Sequence, residues 1–167
     1  MRILGIDPGY GITGFGLIES ERGQSKLITC GAITTPPGMD FSARLEIIYN
    51  DMCELLRQAK PDAVAIEELF FGQNVTTGIG VAQARGVVLL AIRQAGLEVT
   101  SYKPMQVKLS LVGYGNATKR QMMDMTKRLL HLSAMPKPDD AADAIAIALC
   151  HARSATSLLS QLGGNGQ

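Results

Sequence analysis

"RILGIDPGYGITGFGLIES", residues 2–20, decides the fold of this chain. Its first part, residues 2–7, is a short apolar run that ends in Asp7 and is followed by Pro-Gly, which predicts a buried strand that stops at a turn. Residues 12–20 predict a second strand. Residues 26–34 predict a third, separated from the second only by a short polar segment. The chain therefore opens with a meander of three neighbouring strands.

Residues 9–14, "GYGITG", match the G-x-G-x-x-G pattern of dinucleotide-binding loops. That fingerprint requires a helix to begin at the loop, whereas here the chain continues as a glycine-rich strand, so we reject this interpretation. A turn containing Asp-x-Gly between two strands also occurs in actin-like and sugar kinases, where it holds the phosphates of ATP. Those enzymes use two such domains, and 167 residues leave no room for the second.

After the meander, helical and strand-like patterns alternate along the chain. Helical periodicity predicts the helices, and short apolar runs predict the strands between them. In chain order, we predict a helix at 40–60, a strand at 62–67, a helix at 74–95, a strand at 97–102, and helices at 105–112, at 118–131 and from 139 onward. This order predicts an α/β fold with one mixed sheet of five strands and helices on both faces. We expect a single domain over residues 1–157 and a disordered tail over 158–167.

Composition narrows the class of protein. Hydrophobic residues make up 46% of the chain and charged residues 19%, as in a globular domain, and a net charge of +1 offers no overall electrostatic argument for a nucleic-acid partner. The three cysteines are far apart and in no C-x-x-C pair, which predicts reduced thiols and argues against a disulfide or zinc framework. No apolar run approaches the roughly 20 residues that span a bilayer, and the N-terminus meets a charge too early for a signal peptide. We therefore expect a cytoplasmic protein without a membrane partner.

Two acids end predicted strands. Asp7 and Glu67 each follow an isoleucine at the end of a short buried run, although strands disfavour Asp and burial disfavours charge. If these two strands are parallel neighbours, their carboxyl ends lie side by side. That edge of an open α/β sheet is where ligands bind.

Three more acids begin a helix that is otherwise apolar on every face, in "PDDAADAIAIALCHA", residues 138–152. Acids at a helix start have an ordinary explanation, because Asp139 or Asp140 can cap the free N–H groups and all three suit the helix dipole. Asp140 and Asp143 are also three residues apart, so they project from one face of the helix. They could therefore complete a cluster of four carboxylates with Asp7 and Glu67.

Four such charges cannot crowd together without positive charge between them. Two divalent cations would supply it and would make a site for phosphodiester hydrolysis. Because all the ligands are oxygens, we expect Mg²⁺ or Mn²⁺ in place of zinc.

Basic residues concentrate near the predicted cluster. Residues 103–128 carry six positive charges and only one negative charge, or +5, in a chain of +1 overall: Lys103, Lys108, Lys119, Arg120, Lys127 and Arg128 against Asp124. A basic stripe beside a metal site suits a polyanionic substrate such as nucleic acid. For Lys127 and Arg128 a solvated helix face is the simpler explanation. Lys108 and Lys119, at the ends of short helices around a glycine-bearing loop, are the expected phosphate contacts.

Two adjacent phenylalanines, residues 70 and 71, come shortly after Glu67. Core packing accounts for one of them. The other could sit beside the site and stack on an unpaired base.

Five motifs, spread in order over residues 2–155, are "ILGIDPG", "AIEELFF", "AQARGV", "QVKLSLVGYGNATK" and "DDAADAIAIALCH". With them the chain resembles the RuvC family of crossover junction endodeoxyribonucleases, the bacterial Holliday junction resolvases. The resemblance implies a ribonuclease H-like fold whose five-stranded mixed sheet has one antiparallel strand. It also implies a homodimer that nicks two strands symmetrically at the crossover of a four-way DNA junction.

The resemblance assigns roles to particular residues. In this family four acids bind two Mg²⁺ ions, basic residues lie beside them, an aromatic side chain stacks on a base and one helix forms the dimer. By motif, the four acids correspond to Asp7, Glu67, Asp140 and Asp143, and the basic residues correspond to Lys108 and Lys119. The stacking aromatic corresponds to Phe70, and the dimer helix corresponds to residues 74–95. Some relatives carry His where this chain has Asp140, and Asp139 is a neighbouring acid. The D-x-x-D spacing that ends at Asp143 favours Asp140 as the ligand.

The resemblance also implies a mechanism and a context. We expect metal-assisted hydrolysis that leaves a 5′-phosphate and a 3′-hydroxyl, a role in homologous recombination and DNA repair, and the branch-migration proteins RuvA and RuvB as partners. Two other functions stay open. One is a ribonuclease H-like nuclease that acts on RNA, and the other is a junction-binding module without chemistry.

Overall fold

The computed structural model of the protein describes residues 1–69 and 75–163, with the side chains of all of these except residues 75, 76 and 156–163. This part of the chain contains five strands and five helices. The strands are β1 (Arg2–Asp7), β2 (Ile12–Glu21), β3 (Gln24–Thr34), β4 (Ala63–Glu67) and β5 (Val99–Tyr102). The helices are α1 (Phe41–Ala59), α2 (Val75–Gln94), α3 (Pro104–Val112), α4 (Lys119–Leu129) and α5 (Asp139–Gly163).

The strands form one mixed sheet in the order β3-β2-β1-β4-β5. β2 pairs antiparallel with both β1 and β3, whereas β1 pairs parallel with β4, and β4 pairs parallel with β5. The predicted mixed sheet, with its single antiparallel strand, is therefore confirmed. The predicted elements occur in the predicted order, and most of their ends move by only a residue or two.

Helices cover both faces of the sheet, as predicted. On one face α5 packs against β1 and β2, with α3 and α4 beside it, and the core there is built around Ile3, Ile18 and Ile145. On the other face α1 and α2 pack against each other over a core that includes Leu4 and Ile6. Because side chains alternate along a strand, Ile3 and Leu4 point to opposite faces.

α5 lies unusually close to the sheet, because glycines of β1 and β2 face it. A Cβ added to Gly5 would lie 2.0 Å from the Ala144 carbonyl oxygen. A Cβ added to Gly14 would lie 2.1 Å from the Asp140 carbonyl oxygen. Side chains at these positions would push the helix away, so the glycines bring the first turn of α5 against the backbone of β2.

The end of α5 differs from the prediction. The helix continues to Gly163, past the predicted domain end at residue 157. The sequence after Arg153 is rich in Ala, Ser, Leu and Gln and contains no proline, and no glycine before Gly163, so nothing local ends the helix sooner. The last part of the predicted tail, residues 164–167, lies outside the described residues.

Two further expectations concern the whole chain. Cys30, Cys53 and Cys150 all lie within the described residues and are free thiols, as their spacing predicts. Of the helices that the structure describes, none combines the length and the apolar character needed to cross a bilayer.

Candidate active site

The parallel pairing of β1 with β4 brings the two strand-ending acids together. Ile6 is the register partner of Ile66, so Asp7 and Glu67 follow at the same edge of the sheet. Strand alternation places both on the face that α5 covers, since Asp7 lies two residues beyond Gly5, which touches that helix. This is the edge at which open α/β sheets bind ligands.

One cavity of about 230 Å³ collects most of the predicted site residues. Asp7 and Glu67 line it from the sheet, Asp143 from the second turn of α5, Lys108 from α3 and Lys119 from the start of α4. The rest of its wall is largely apolar and consists of Pro104, Val107, Met122, Ala146 and Ile147. Three carboxylates and two ammonium groups therefore line one partly desolvated space.

Asp140 is next to this cavity without lining it. Its charge acts on both Asp7 and Asp143, so it belongs to the same acidic group. Asp139 is 63% exposed and points instead to the Lys119 ammonium. The charge of Asp139 also acts on Asp143, whereas Asp140 alone of the two is among the charges that raise the pKa of Asp7.

Burial increases the affinity of these carboxylates for protons. Burial, followed by the charges of Glu67, Asp143 and Asp140, raises the pKa of Asp7 to about 7. Burial and the charge of Asp143 also raise the pKa of Glu67, which Lys108 partly offsets. Burial raises the pKa of Asp143, although Lys119 lowers it. The acids thus repel one another in a space with too little positive charge.

Lys119 supplies part of that charge. Its Nζ lies 3.0 Å from Oδ2 of Asp139 and 3.4 Å from Oδ2 of Asp143. Two reciprocal hydrogen bonds at the start of α4 fix the position of Lys119. The Thr118 backbone N–H donates to the Gln121 side chain at 2.8 Å, and the Gln121 backbone N–H donates to the Thr118 hydroxyl at 3.3 Å. This capping box, which begins α4 at Lys119, is a motif that sequence alone predicts.

The donor set fits a hard divalent cation, since it consists of carboxylate oxygens whose mutual repulsion a cation would relieve. Across residues 1–69 and 75–163, however, no three Asp, Glu, His or Cys side chains already surround a common point as metal ligands. Binding a metal therefore requires these carboxylates to turn toward one another.

The raised pKa of Asp7 predicts a pH-dependent stability of the metal-free protein. Because the folded state holds this proton more tightly than the unfolded chain, the free energy of unfolding falls as the pH rises from about 4 to about 7. We expect Asp7→Asn to stabilise the protein in EDTA by on the order of 2 kcal/mol at pH 8, and by much less at pH 5. Thermal unfolding at the two pH values measures this, with Asp51→Asn on an exposed part of α1 as the control. An equal effect of Asp7→Asn at both pH values would contradict the prediction.

One predicted residue cannot be placed: Phe70 lies outside the described residues. The predicted dimer helix corresponds to α2, where Ile79 and Leu90 are 54% and 52% exposed.

Sequence reasoning missed Arg85. This residue of α2 donates from Nε to the Glu67 carbonyl oxygen at 3.1 Å and from Nη2 to the Ser101 hydroxyl at 2.8 Å. One guanidinium thus joins α2 to the carboxyl ends of β4 and β5, where the Glu67 side chain enters the cavity. The available signal was a single charged residue in "AQARGV", within a helix stretch that otherwise consists of small and apolar residues and one Gln.

Comparisons with known proteins identify the family to which the chain belongs. The sequence matches the family described as crossover junction endodeoxyribonuclease RuvC over residues 3–151. The curated RuvC of Chloroflexus aurantiacus is 52% identical over 95% of this chain and 96% of its own, and that of Syntrophomonas wolfei is 51% identical over 92% and 90%.

Solved structures agree as well. Thermus thermophilus RuvC in complex with a Holliday junction substrate superposes with a TM-score of 0.89, at 37% identity over 94% of this chain and 96% of that one. The yeast mitochondrial Holliday junction resolvase shares the fold with a TM-score of 0.69 at 15% identity, over 95% and 82% of the two chains. With its sheet, its acidic cavity and these matches over nearly its whole length, the protein belongs to the RuvC family of crossover junction endodeoxyribonucleases.

Proposed function

We propose that this chain resolves four-way DNA junctions by paired, symmetric nicks during homologous recombination and DNA repair. The observation that carries the proposal is the single cavity in which Asp7, Glu67 and Asp143 face Lys108 and Lys119. Carboxylates for metal and ammonium groups for phosphate are what phosphodiester hydrolysis needs at one place. The proposed location is the cytoplasm, where a bacterial cell keeps its DNA.

Membership of this nuclease family implies dependence on a divalent metal. We propose two Mg²⁺ ions per site, replaceable by Mn²⁺, held by Asp7, Glu67, Asp140 and Asp143. When bound, such ions make a water nucleophilic and neutralise charge on the phosphate and the leaving oxygen. Cleavage of the bond to the 3′ oxygen leaves a 5′-phosphate and a 3′-hydroxyl, which a ligase can rejoin.

The chain's own residues orient the substrate. Lys108, in the middle of α3, and Lys119, the first residue of α4, both line the cavity. We propose that both contact phosphates beside the cleaved bond. If Asp143 held a metal ion, Lys119 would keep its ion pair with Asp139 at the edge of the cavity, where its ammonium could contact a phosphate. The cavity's apolar wall limits the water around the carboxylates and strengthens these interactions. By sequence alone, Phe70 remains the proposed stacking residue.

We propose that the active form is a homodimer, with α2 at the interface. Two identical sites related by a two-fold axis match a junction that has the same symmetry. The exposed Ile79 and Leu90 of α2 are apolar side chains that a second copy would cover. RuvA and RuvB are the proposed partners on the basis of the family.

The dimer proposal predicts that charge on α2 separates the subunits. We expect Ile79→Glu combined with Leu90→Glu to weaken dimerisation by at least about 100-fold, because an unpaired carboxylate is costly to bury. Light scattering after size exclusion measures the mass, and uncoupled nicking of the two strands should accompany the loss. Met39→Glu, at an apolar residue that is 38% exposed outside α2, is the control. A double variant that stays dimeric would rule out α2 as the interface.

The contact of Arg85 predicts a loss of catalysis without a loss of binding. We expect Arg85→Ala to lower the maximal cleavage rate by about tenfold or more, as happens when groups that orient metal ligands are removed. The dissociation constant for the junction should stay unchanged, because the guanidinium is occupied by Glu67 and Ser101. Arg93→Ala, at the exposed end of the same helix, is the matched control. A weaker junction affinity with a smaller salt dependence would instead show that Arg85 contacts phosphate.

Cleavage assays test the function itself. An end-labelled four-way DNA junction, the matching linear duplex and a structured RNA are each incubated with the protein and Mg²⁺. We expect paired nicks at symmetric positions in the junction only, with ends that ligase can seal. Cleavage of the RNA alone would favour a ribonuclease, and tight junction binding without cleavage at any divalent metal would favour a junction-binding module.

A further inference from the structure

The turn between β1 and β2, residues 8–11, directly follows the first acid of the cavity. Asp7 ends β1 and is the register partner of Gly14, which packs closely against Asp140 at the start of α5. The buried Thr13 hydroxyl of β2 donates to the Gly9 carbonyl oxygen at 2.5 Å, which joins the turn to the start of β2. A shift of this turn would therefore move the Asp7 carboxylate relative to α5.

Thr35, the first residue after β3, holds the outer part of this turn. Its hydroxyl donates to the Tyr10 carbonyl oxygen at 2.5 Å, and its backbone N–H donates to the Gly11 carbonyl oxygen at 3.0 Å. Thr35 and Tyr10 are 25 positions apart in the sequence, so this contact exists only in the folded chain. Thr35 is 6% exposed, and a buried hydroxyl is costly to leave without a partner.

Arg44 reaches the same turn from α1. Its Nε donates to the Thr35 hydroxyl oxygen at 2.8 Å, and its guanidinium carbon lies 4.9 Å from the centre of the Tyr10 ring. A hydrogen bond from a charged donor is stronger than a neutral one. Among the side chains that the structure describes, no carboxylate forms an ion pair with Arg44. Its described polar contact is therefore the one that supports Thr35.

The Tyr10 ring has further contacts with two helices. Phe41 of α1 meets it edge to face, with 5.7 Å between the ring centres. A Cβ added to Gly80 of α2 would lie 2.9 Å from Cδ1 of Tyr10. This packing would remain if the Thr35 hydroxyl were removed. A substitution at Thr35 can therefore loosen the backbone of the turn while the ring stays anchored.

We propose that Thr35 and Arg44 are positioning residues, which hold the turn after Asp7 and thereby hold the Asp7 carboxylate where it binds a metal ion. The inference rests on the proposed function, and on Asp7 as a metal ligand within it. The carboxylates must turn toward one another to bind the ion, and a backbone that is already fixed lowers the entropy cost of that step. Neither Thr35 nor Arg44 lines the cavity, so both act through Asp7.

Removal of a single hydroxyl group tests the inference. Thr35→Val keeps a branched side chain but deletes the oxygen that joins Arg44 to the Tyr10 backbone, whereas Thr35→Ser keeps that oxygen. Thr29→Val, at an exposed residue of β3, is a second control. Arg44→Ala, and Arg44→Ala combined with Thr35→Val, complete a double-mutant cycle.

Four quantities are measured at a temperature at which every variant is folded. They are the maximal cleavage rate of a four-way junction with Mg²⁺, the junction dissociation constant in EDTA at several salt concentrations, the dissociation constant for Mn²⁺ without DNA, and the melting temperature in EDTA. The electron paramagnetic resonance signal of free Mn²⁺ reports the third directly. A purely structural role would lower the melting temperature and leave the Mn²⁺ affinity of the folded protein unchanged.

We expect Thr35→Val to bind Mn²⁺ about tenfold more weakly and to cut the junction about tenfold more slowly at a fixed Mg²⁺ concentration. The junction dissociation constant should change by less than about twofold, because the buried Thr35 cannot touch DNA. Thr35→Ser and Thr29→Val should behave like wild type. The double variant should lose little more than either single variant, since both remove the same link between α1 and the turn.

Thr35→Val with wild-type Mn²⁺ affinity and wild-type cleavage would overturn the inference. A weaker junction affinity with a smaller salt dependence in Arg44→Ala, but not in Thr35→Val, would show instead that Arg44 contacts phosphate. The Mn²⁺ titration contains no DNA, so it decides the positioning role independently of cleavage. A wild-type protein that binds Mn²⁺ but cuts no junction would overturn the proposed function alone.

Discussion

Replacing Asp7 by Asn is expected to slow junction cleavage by about 10³-fold or more, while junction affinity changes by less than about threefold. Asp7 is the most perturbed acid of the site, with a pKa raised to about 7 by burial and by three neighbouring carboxylates. An uncharged amide cannot hold a divalent cation as a carboxylate does, and the loss of such an ion removes several kcal/mol of transition-state stabilisation. The basic residues proposed to contact phosphate are untouched, so binding should persist.

A second measurement separates this loss from misfolding. The same Asp7→Asn protein should be more stable than wild type in EDTA at pH 8, because the substitution removes a buried charge. Less activity together with more stability is a combination that damage to the fold does not produce. Added Mg²⁺ should raise the melting temperature of wild type and leave that of Asp7→Asn nearly unchanged. Asp51→Asn is the control, and wild-type cleavage rates in Asp7→Asn would remove Asp7 from the mechanism.

Replacing Gly14 by Ala should reduce both stability and cleavage. The new Cβ would lie 2.1 Å from the Asp140 carbonyl oxygen and 2.9 Å from the Asp140 Cβ, so the first turn of α5 must move. We expect a loss of about 3 kcal/mol in the free energy of unfolding, or roughly 10 °C in melting temperature. Cleavage should fall even at temperatures where the protein stays folded, because Asp140 and Asp143 move with the helix.

Two other glycines serve as matched comparisons. In Gly5→Ala the new Cβ would lie 2.0 Å from the carbonyl oxygen of Ala144, which is further along α5. This substitution should also destabilise the protein, but it should have a smaller effect on cleavage by the folded fraction. Gly86→Ala adds a Cβ with nothing within 4 Å in the single chain, so it should be neutral or stabilising by about 0.5–1 kcal/mol for unfolding of the monomer. Because Gly86 shares the face of α2 that carries Ile79 and Leu90, it is a control for stability and not for dimerisation. Equal effects on folded-state cleavage at Gly5 and Gly14 would show that the placement of Asp140 is not what matters.

Local patterns in the sequence determined the elements and most of their order. The apolar run before Asp7, the strand before Glu67 and the capping box at Thr118 are each short-range signals, and each appears in the structure where predicted. The parallel pairing of β1 with β4 was a reasoned consequence of two acids that both follow buried strands, and the register confirms it. These signals suffice because periodicity and capping depend on residues only a few positions apart.

The detailed contacts of the site were decided only by the tertiary structure. The spacing "DDAAD" did not reveal that Asp139 pairs with Lys119, or that Asp140 does not line the cavity. Nor did the sequence show that Arg85 holds the backbone at Glu67, although its motif was visible. Arg85 and Glu67 are 18 positions apart in the sequence. Asp139 and Lys119 lie on separate helices. Their geometry depends on how closely α5 and α2 pack on the sheet, and that distance is set by side-chain volume at facing positions such as Gly14, which no local pattern records.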